Sequence, residues 1–142
     1  MTLLGVFVKA LGEKIYPFWS VFVPTRQDYI DLFAEVIKST NLLKDLNTPV
    51  LEIGCGTGVL SILMAKQLRG KSNQKIIATD ISPFAVESTR FNAEKILNEK
   101  ARMIEAIQCD LFPAKKRQYD LIVCNPPFLV SKSVHSLLEQ CK

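Results

Sequence analysis

A glycine-rich stretch, Gly54-Cys55-Gly56-Thr57-Gly58, carries the strongest chemical signal in this sequence. Residues 50–53 before it are mostly apolar, and an apolar helical pattern begins at Val59. A chain that leaves a strand, turns sharply and enters a helix needs glycines for the turn and for close backbone approach. The first amides of that helix have no intrahelical partner, so they can face a ligand above the turn. The stretch predicts the opening of a nucleotide-type pocket, although a tight turn without any ligand would have the same pattern.

The spacing of the glycines limits the kind of ligand. It is G-x-G-x-G, whereas dinucleotide enzymes have G-x-G-x-x-G and phosphate-binding P-loops have G-x-x-x-x-G-K-[ST]. No Lys-Ser or Lys-Thr pair follows the loop to hold a β- or γ-phosphate. The pattern therefore disfavours a P-loop and a nicotinamide dinucleotide site.

Two aspartates follow apolar runs further along the chain, where strands are expected to end. Asp80 lies somewhat beyond the interval of about 20 residues at which an acid binds a ribose after such a loop. A carboxylate there can accept hydrogen bonds from two vicinal hydroxyls, and Asp110 could accept from an exocyclic amine. Either aspartate alone is better explained as a cap or turn residue. Only the ordered set of strand ends, completed by residues 125–128, favours a site.

Hydrophobic periodicity predicts the elements that must position these residues. Strands are expected at residues 50–53, 75–80, about 103–108 and 120–124, the last buried on both faces. Helices are expected from Thr25, from about 59 to 68 with a stop at Gly70, from Pro83 after a Ser82 cap to about 98, and at about 132–139. This order predicts a parallel α/β sheet with crossover helices, whose ligands bind beyond the carboxyl ends of the strands.

The N-terminal quarter is predicted to pack on this sheet. Thr25 is expected to cap the first helix, with Asp28 three residues on. The helix has an apolar stripe that predicts its buried face, formed by Tyr29, Leu32, Phe33, Val36 and Ile37. Residues 2–23 are mixed apolar and aromatic, and we expect them to cap the core; a wall of the pocket is the alternative.

Composition agrees with a single globular domain. The chain has 142 residues, of which 48% are hydrophobic and 23% charged, as in ordinary soluble proteins. Its net charge of +4 is compatible with an RNA or ribosomal partner, but a solvated basic surface explains it equally well. The four cysteines lack metal-ligand spacing, which favours reduced thiols and a cytoplasmic location. The single histidine, His135, argues against a histidine-based metal site, and no signal peptide or membrane anchor is expected.

Together, these motifs resemble the class I S-adenosylmethionine-dependent methyltransferases. The resemblance rests on residues 51–58, Asp80, residues 109–112 and Asn125-Pro126-Pro127-Phe128. The N-P-P-F element narrows it to the branch that methylates amino groups, which includes glutamine methyltransferases of release factors and ribosomal proteins, and base N-methyltransferases. The resemblance covers about residues 21–130. It implies a Rossmann-like, mostly parallel sheet with helices on both faces, in one domain capped by residues 1–24.

The resemblance also implies where the cofactor, S-adenosylmethionine, would bind. The glycine loop would lie under its methionyl part, with Glu52 near its amino group. Asp80 would take the ribose hydroxyls, with Ile81 on the adenine, while Asp110 would accept from the adenine amine beside Leu111. The implied cofactor-binding residues are Glu52, Gly54, Cys55, Gly56, Gly58, Asp80, Ile81, Asp110 and Leu111. The cofactor carries a cationic sulfonium and no phosphate, which agrees with the acids and with the missing P-loop lysine.

The catalytic residues implied by the resemblance are Asn125, Pro126, Pro127 and Phe128. The Asn125 side-chain oxygen and the Pro126 carbonyl can each accept one N–H of a planar amide or amine, which orients that nitrogen and enriches it in electrons. The two prolines stiffen the turn, and Phe128 can stack on the flat group. The implied activity is methylation of a protein glutamine or of an exocyclic amine in RNA.

The sequence departs from the family pattern after the fourth strand. Class I sheets usually continue with a fifth strand and an antiparallel hairpin, whereas only residues 129–142 follow Phe128. We therefore expect either a fragment or a partner chain that completes the sheet, because its edge strand would otherwise be unpaired. A non-catalytic cofactor-binding subunit is the alternative to an active enzyme, and a nicotinamide-dependent oxidoreductase is disfavoured by the motifs.

Overall fold

The computed structural model describes residues 4–68 and 73–127. The strands within these ranges are β1 (Val6–Val8), β2 (Glu13–Ile15), β3 (Val50–Ile53), β4 (Ile76–Asp80), β5 (Ile104–Gln108) and β6 (Leu121–Cys124). The α-helices are α1 (Asp28–Ser39), α2 (Val59–Gln67) and α3 (Pro83–Leu97), and a 3-10 helix (Asn98–Met103) joins α3 to β5. Gly70, Phe128 and the predicted last helix lie outside the described residues.

Strands β3 to β6 form a parallel sheet in the order β5-β4-β3-β6. The chain builds outward from β3 through β4 to β5, and then returns to place β6 on the other side of β3. Such a reversal leaves a crevice beyond the carboxyl ends of the strands, where open α/β sheets bind their ligands. The predicted Rossmann-like parallel sheet is confirmed.

The two faces of this sheet carry separate apolar clusters. Val50 and Ile76 belong to the cluster that includes α1, α2, α3 and the N-terminal hairpin. Leu51, Ile53 and Ile77 form the other cluster, and the loop after β5 covers them with Leu111, Phe112 and Tyr119. Of the helices predicted on both faces, the described residues show those on one face.

The prediction that the last strand is buried on both faces is wrong. Ile122 in β6 is 36% exposed, whereas every residue of β3 is buried. The reason is position, because within the described residues β6 pairs with β3 alone. Its start is held by Asp120, whose Oδ2 accepts from the amides of Asn47 and Thr48 at 2.6 and 2.9 Å. These hydrogen bonds lower the pKa of the Asp120 carboxyl.

Helix α1 begins later than predicted, and its predicted apolar stripe is confirmed only in part: Tyr29, Phe33 and Ile37 pack on the core. Its N-cap is Gln27 rather than Thr25, because the Gln27 carbonyl accepts the first helical hydrogen bonds, from the amides of Ile30 and Asp31. The Gln27 side chain is bound to the N-terminal hairpin, where its Nε2 donates to the Phe7 carbonyl at 2.7 Å. The buried positions of α1 are Ile30 and Ile37. Two members of the predicted apolar stripe are instead exposed, namely Leu32 at 62% and Val36 at 38%.

The N-terminal residues form an antiparallel hairpin, β1–β2, that the sequence did not predict. Its strands have three residues each, too short for a clear alternation of apolar and polar positions. Val8 and Ile15 are fully buried in the larger apolar cluster. The assignment of one domain, with residues 1–24 as its cap, stays a prediction.

The predicted start of α3 is confirmed. Ser82 is the N-cap and its Oγ accepts from the Ala85 amide at 3.4 Å, with Pro83 at the first helical position. Helix α2 begins at Val59 directly after Gly58, as the glycine pattern predicts. In the described part of the chain, no helix has the length and apolarity needed to span a membrane.

Candidate active site

A cavity of about 760 Å³ lies beyond the carboxyl ends of β3, β4 and β6 and beside the turn after β5. Most of the predicted site residues line it: Glu52, Gly54, Cys55, Gly56, Asp80, Ile81, Asp110, Leu111, Asn125, Pro126 and Pro127. Gly58, the last residue of the loop, does not line the cavity, and Phe128 is outside the described residues. The predicted strand ends therefore meet at one crevice.

The β3–β6 register brings Asn125 to the glycine loop. Ile53 pairs with Cys124, so the next residues of the two strands, Gly54 and Asn125, leave the sheet side by side. Asn125 and Pro126 are half-buried and Pro127 is exposed. The Asn125 carboxamide makes no hydrogen bond to the described part of the chain, so its oxygen is open to a ligand in the cavity.

The glycines of the loop have two different physical roles. Gly54 and Gly56 have φ values of +73° and +54°, and a Cβ at either position would meet open space. Gly58 has φ +79°, and a Cβ there would lie 2.8 Å from the Cγ2 of Thr89 on α3. The first two glycines permit the turn, whereas Gly58 also permits close packing of the loop on α3.

The Asp80 carboxylate holds the turn that it faces. Its Oδ2 accepts from the Gly56 amide at 3.0 Å, and its Oδ1 accepts from the Ser82 amide at 2.9 Å. Each carboxylate oxygen has a further lone pair. Asp80 can therefore organise the loop and still accept two hydrogen bonds from a ligand in the cavity.

Glu52 is the most perturbed acid of the site. It is 2% exposed and accepts hydrogen bonds from the backbone amide of Ser61, at 2.9 Å, and from the Ser61 hydroxyl. Ser61 lies in the first turn of α2, so the Glu52 carboxyl faces the positive end of that helix. Burial nevertheless dominates and raises the pKa of Glu52 to about 8. Ser61 was not identified from the sequence, although a hydroxyl at the third position of a helix that follows a buried acid could have indicated this hydrogen bond.

The turn after β5 has a strained residue. Leu111 has φ +62°, and the Phe112 amide donates to the Asp110 carbonyl at 2.8 Å, which closes a three-residue turn. The buried Thr79 hydroxyl lies 2.8 Å from the Leu111 carbonyl and holds it in place. The turn leaves the Asp110 side chain exposed at the cavity and packs Leu111 against the sheet. Thr79 was not identified from the sequence, because its role depends on a contact between β4 and the turn after β5.

Apolar and aromatic groups complete the cavity. Ile81 is 70% exposed at its rim, although it is a large aliphatic residue. Ser20, Val21 and Phe22 form a further part of the wall, together with Tyr29 of α1. Burial and the nearby Glu52 charge raise the pKa of Tyr29. The wall that was the alternative interpretation of the N-terminal segment is thus present in residues 20–22.

The lining of the cavity is acidic. Three carboxyl side chains line it, from Glu52, Asp80 and Asp110, and no Lys or Arg does so among the described residues. Anionic phosphates need cations or unpaired amides for binding, whereas this lining suits a cationic or neutral ligand. The three cysteines of the described residues, Cys55, Cys109 and Cys124, all touch the cavity.

Comparison with known proteins assigns the chain to a family. The model of the methyltransferase small domain matches residues 21–141. The chain belongs to the methyltransferase small domain family.

Three relatives of this methyltransferase small domain represent two kinds of enzyme. A protein of Methanocaldococcus jannaschii, with the provisional name protein N5-glutamine methyltransferase, is 42% identical over 122 residues, which are 86% of this chain and 53% of the relative. Release factor glutamine methyltransferase of Dictyoglomus turgidum is 36% identical, over 79% of this chain and 39% of that protein. Ribosomal RNA small subunit methyltransferase C of Haemophilus influenzae is 32% identical, over 80% and 33% respectively. The chain thus spans about half or less of the length of these relatives.

A solved structure supports the fold of the methyltransferase small domain. The plantazolicin methyltransferase BpumL in complex with S-adenosylhomocysteine (SAH) superposes with a TM-score of 0.58 at 25% identity. The match covers 81% of this chain and 42% of that one. The architecture inferred from the strand order is therefore that of a methyltransferase.

Proposed function

We propose that this chain binds S-adenosylmethionine and methylates a planar nitrogen, either the side-chain amide of a protein glutamine or an exocyclic amine of an RNA base. The observation that carries the proposal is the adjacency of Gly54 and Asn125 across β3 and β6. It brings the glycine loop and the Asn125 carboxamide, which makes no hydrogen bond within the described residues, to the same cavity.

The cavity fits a cationic cofactor without phosphate. Its three carboxyl groups and the lack of Lys or Arg among the described lining residues suit an ammonium and a sulfonium better than a pyrophosphate. When bound, S-adenosylmethionine supplies an electrophilic methyl group. In the proposal, Asp80 accepts from the ribose hydroxyls, Asp110 accepts from the adenine amine, and Ile81 covers the base. Glu52 lies near the methionyl amino group, and its carboxyl becomes negatively charged when that cation binds.

The residues after β6 would bind the group that is methylated. The Asn125 side-chain oxygen and the Pro126 carbonyl would accept its two N–H bonds, which orients the nitrogen and raises its electron density. Neither proline has an N–H that competes for these oxygens. Phe128 would stack on the flat group, as the resemblance implies.

The partner that carries the nitrogen is a release factor, a ribosomal protein or an RNA, because the relatives include enzymes named for release factors and for ribosomal RNA. A cytoplasmic location is part of the proposal, since these substrates act there. A second candidate function is a cofactor-binding subunit that needs another chain for turnover. The one-sided pairing of β6 within the described residues favours this candidate.

Binding and turnover of Asn125→Ala test the proposal. Calorimetry with SAH measures binding, and a labelled methyl donor in cell extract, followed by separate RNase and protease digestion, measures transfer and identifies the substrate class. We expect the variant to retain SAH binding and to lose transfer by about a hundredfold or more, while the exposed Asn73→Ala keeps both. Equal loss of binding in Asn125→Ala would show that the assigned role is wrong. Retained binding without transfer by the unaltered chain would support the subunit instead.

A further inference from the structure

We propose that Asn92, on α3, is a positioning residue that couples the cofactor loop to the N-terminal wall of the cavity. Its side chain is fully buried and lines no part of the cavity. It nevertheless hydrogen-bonds to Thr57 in the glycine loop and to Tyr16, which precedes the wall in the chain. The inference rests on the proposed function, because it concerns how that cofactor site is held together.

The Asn92 carboxamide pairs with both backbone groups of Tyr16, as the backbone of a neighbouring β-strand would. Its Oδ1 accepts from the Tyr16 amide at 2.8 Å, and its Nδ2 donates to the Tyr16 carbonyl at 3.0 Å. The same Nδ2 donates to the carbonyl of Thr57, in the glycine loop, at 3.0 Å. A flipped carboxamide would set its oxygen against two carbonyls, so the network determines its orientation.

Two residues near Asn92 on α3 each hydrogen-bond to one of the two segments that Asn92 joins, Tyr16 or the glycine loop. The Ser88 hydroxyl, one turn earlier, donates to the Tyr16 carbonyl at 2.9 Å. The Thr89 hydroxyl lies 3.2 Å from the Gly56 carbonyl and 3.3 Å from the Cys55 Sγ. All three α3 side chains are fully buried, so these bonds are shielded from water. Of these three side chains, only Asn92 hydrogen-bonds to both the glycine loop and the N-terminal segment.

The residue held by Asn92 precedes the cavity wall. Tyr16 directly follows β2, and Ser20, Val21 and Phe22 line the cavity four to six residues later. Between them, the Val21 amide donates to the Phe18 carbonyl at 3.0 Å, in a turn where Ser20 has φ +59°. That φ favours glycine, so the turn is strained and depends on its anchors. A ligand that orders the glycine loop would therefore also order this turn through Asn92 and Tyr16.

Hydrogen exchange of the purified chain with and without SAH tests this coupling, with the Val21 amide as the reporter. We expect SAH to slow exchange at Val21 in the unaltered chain and in Thr89→Val, which loses bonds on the loop side only. In Asn92→Ala we expect SAH to bind about tenfold more weakly and, at saturation, to slow Val21 exchange less than in the unaltered chain, because only direct contact with the cavity wall remains. Protection of Val21 by SAH in Asn92→Ala equal to that in the unaltered chain would overturn the proposal, whatever the loss of stability.

A second variant keeps the test decisive if Asn92→Ala fails to fold. Ser88→Ala removes the bond to the Tyr16 carbonyl and the acceptor of a 3.3 Å bond from the Asn92 Nδ2, and leaves every direct hydrogen bond of the glycine loop in place. We expect it to weaken SAH binding about threefold, although Ser88 touches neither loop nor cavity. An unchanged affinity would contradict the coupling. If the unaltered chain does not bind SAH at all, the proposed function fails, whereas binding without Val21 protection contradicts the coupling alone.

Discussion

The carboxylate of Asp80 and the backbone amide of Gly56 are joined by a hydrogen bond of 3.0 Å, so the acid at the end of β4 holds the loop that follows β3. The same carboxylate caps the turn that leads to α3 through the Ser82 amide. One side chain therefore links two successive strand ends before any ligand binds. This preorganisation reduces the entropy that a ligand would otherwise lose in ordering the loop.

The Asp80→Asn variant tests this double role. Asparagine keeps the shape but presents an NH₂ group to one of two backbone amides and removes the negative charge. We expect SAH affinity to fall at least tenfold and the free energy of unfolding to fall by about 1–3 kcal/mol. Calorimetry and urea unfolding measure the two effects. Asp45→Asn, at an exposed site, is the matched control and should change neither; an unaltered SAH affinity in Asp80→Asn would refute the ligand role.

The buried Glu52 carboxyl predicts an unusual dependence of stability on pH. Its pKa is about 8 in the folded chain against an ordinary value of 4.5, because burial disfavours the charged form. The folded state thus holds this proton more tightly than the unfolded state. The stabilisation is fully present below pH 4.5 and is lost as the pH rises through 8, by up to about 1.4 kcal/mol per pH unit. Urea unfolding from pH 5 to 8 should show this slope, which Glu52→Gln should flatten and the exposed Glu35→Gln should retain. An identical slope in Glu52→Gln would contradict the assignment.

The charge of a bound ligand should also change the protonation of Glu52. A cationic ligand in the cavity favours the ionised form of Glu52, so binding at pH 7 should release a proton. Calorimetry of S-adenosylmethionine in buffers of different ionisation enthalpy measures that release. We expect it to be largest near neutral pH and to disappear in Glu52→Gln. Proton release of equal size in this variant would assign it to another group.

A comparison of Gly12 and Gly58 distinguishes the stability cost of backbone strain from that of a steric collision. Gly12 and Gly58 have similar φ values, +68° and +79°, but only at Gly58 does an added Cβ meet another atom, the Thr89 Cγ2 at 2.8 Å. We expect Gly12→Ala to cost about 1–2 kcal/mol from φ alone, and Gly58→Ala to cost about 1–3 kcal/mol more. Unfolding in urea compares the two. Equal losses would mean that the loop and α3 can move apart freely.

The strained Leu111 turn depends on Thr79. Thr79→Val keeps the volume and removes the hydroxyl that lies 2.8 Å from the Leu111 carbonyl. We expect a loss of about 1–3 kcal/mol in the free energy of unfolding and a severalfold loss in SAH affinity, because Asp110 would lose its fixed position. The exposed Thr25→Val serves as the control for the substitution itself. Full SAH affinity in Thr79→Val would indicate that the turn holds its conformation without this bond.

Local patterns in the sequence were sufficient for the strands of the parallel sheet and for the residues at their ends. Short apolar runs, a G-x-G-x-G loop and a Ser-Pro helix start are decided by neighbours in the chain, so Asp80, Asp110 and Asn125 could be identified as strand-end residues from the sequence itself. The buried face of helix α1 could be predicted only in part, because long-range packing decides which side of the helix meets the core: Ile30 is buried, whereas Leu32 and Val36 are exposed.

What the tertiary structure alone decided is which strand ends are neighbours and what supports them. The pairing of Ile53 with Cys124, between strands far apart in the chain, sets Asn125 beside Gly54. Asn92 was equally invisible, since an asparagine within a helix pattern carries no signal until its contacts with Tyr16 and Thr57 are known. Residue types and spacing predict which groups are available for chemistry, whereas their proximity follows from long-range packing between β3, β6, α3 and the N-terminal segment.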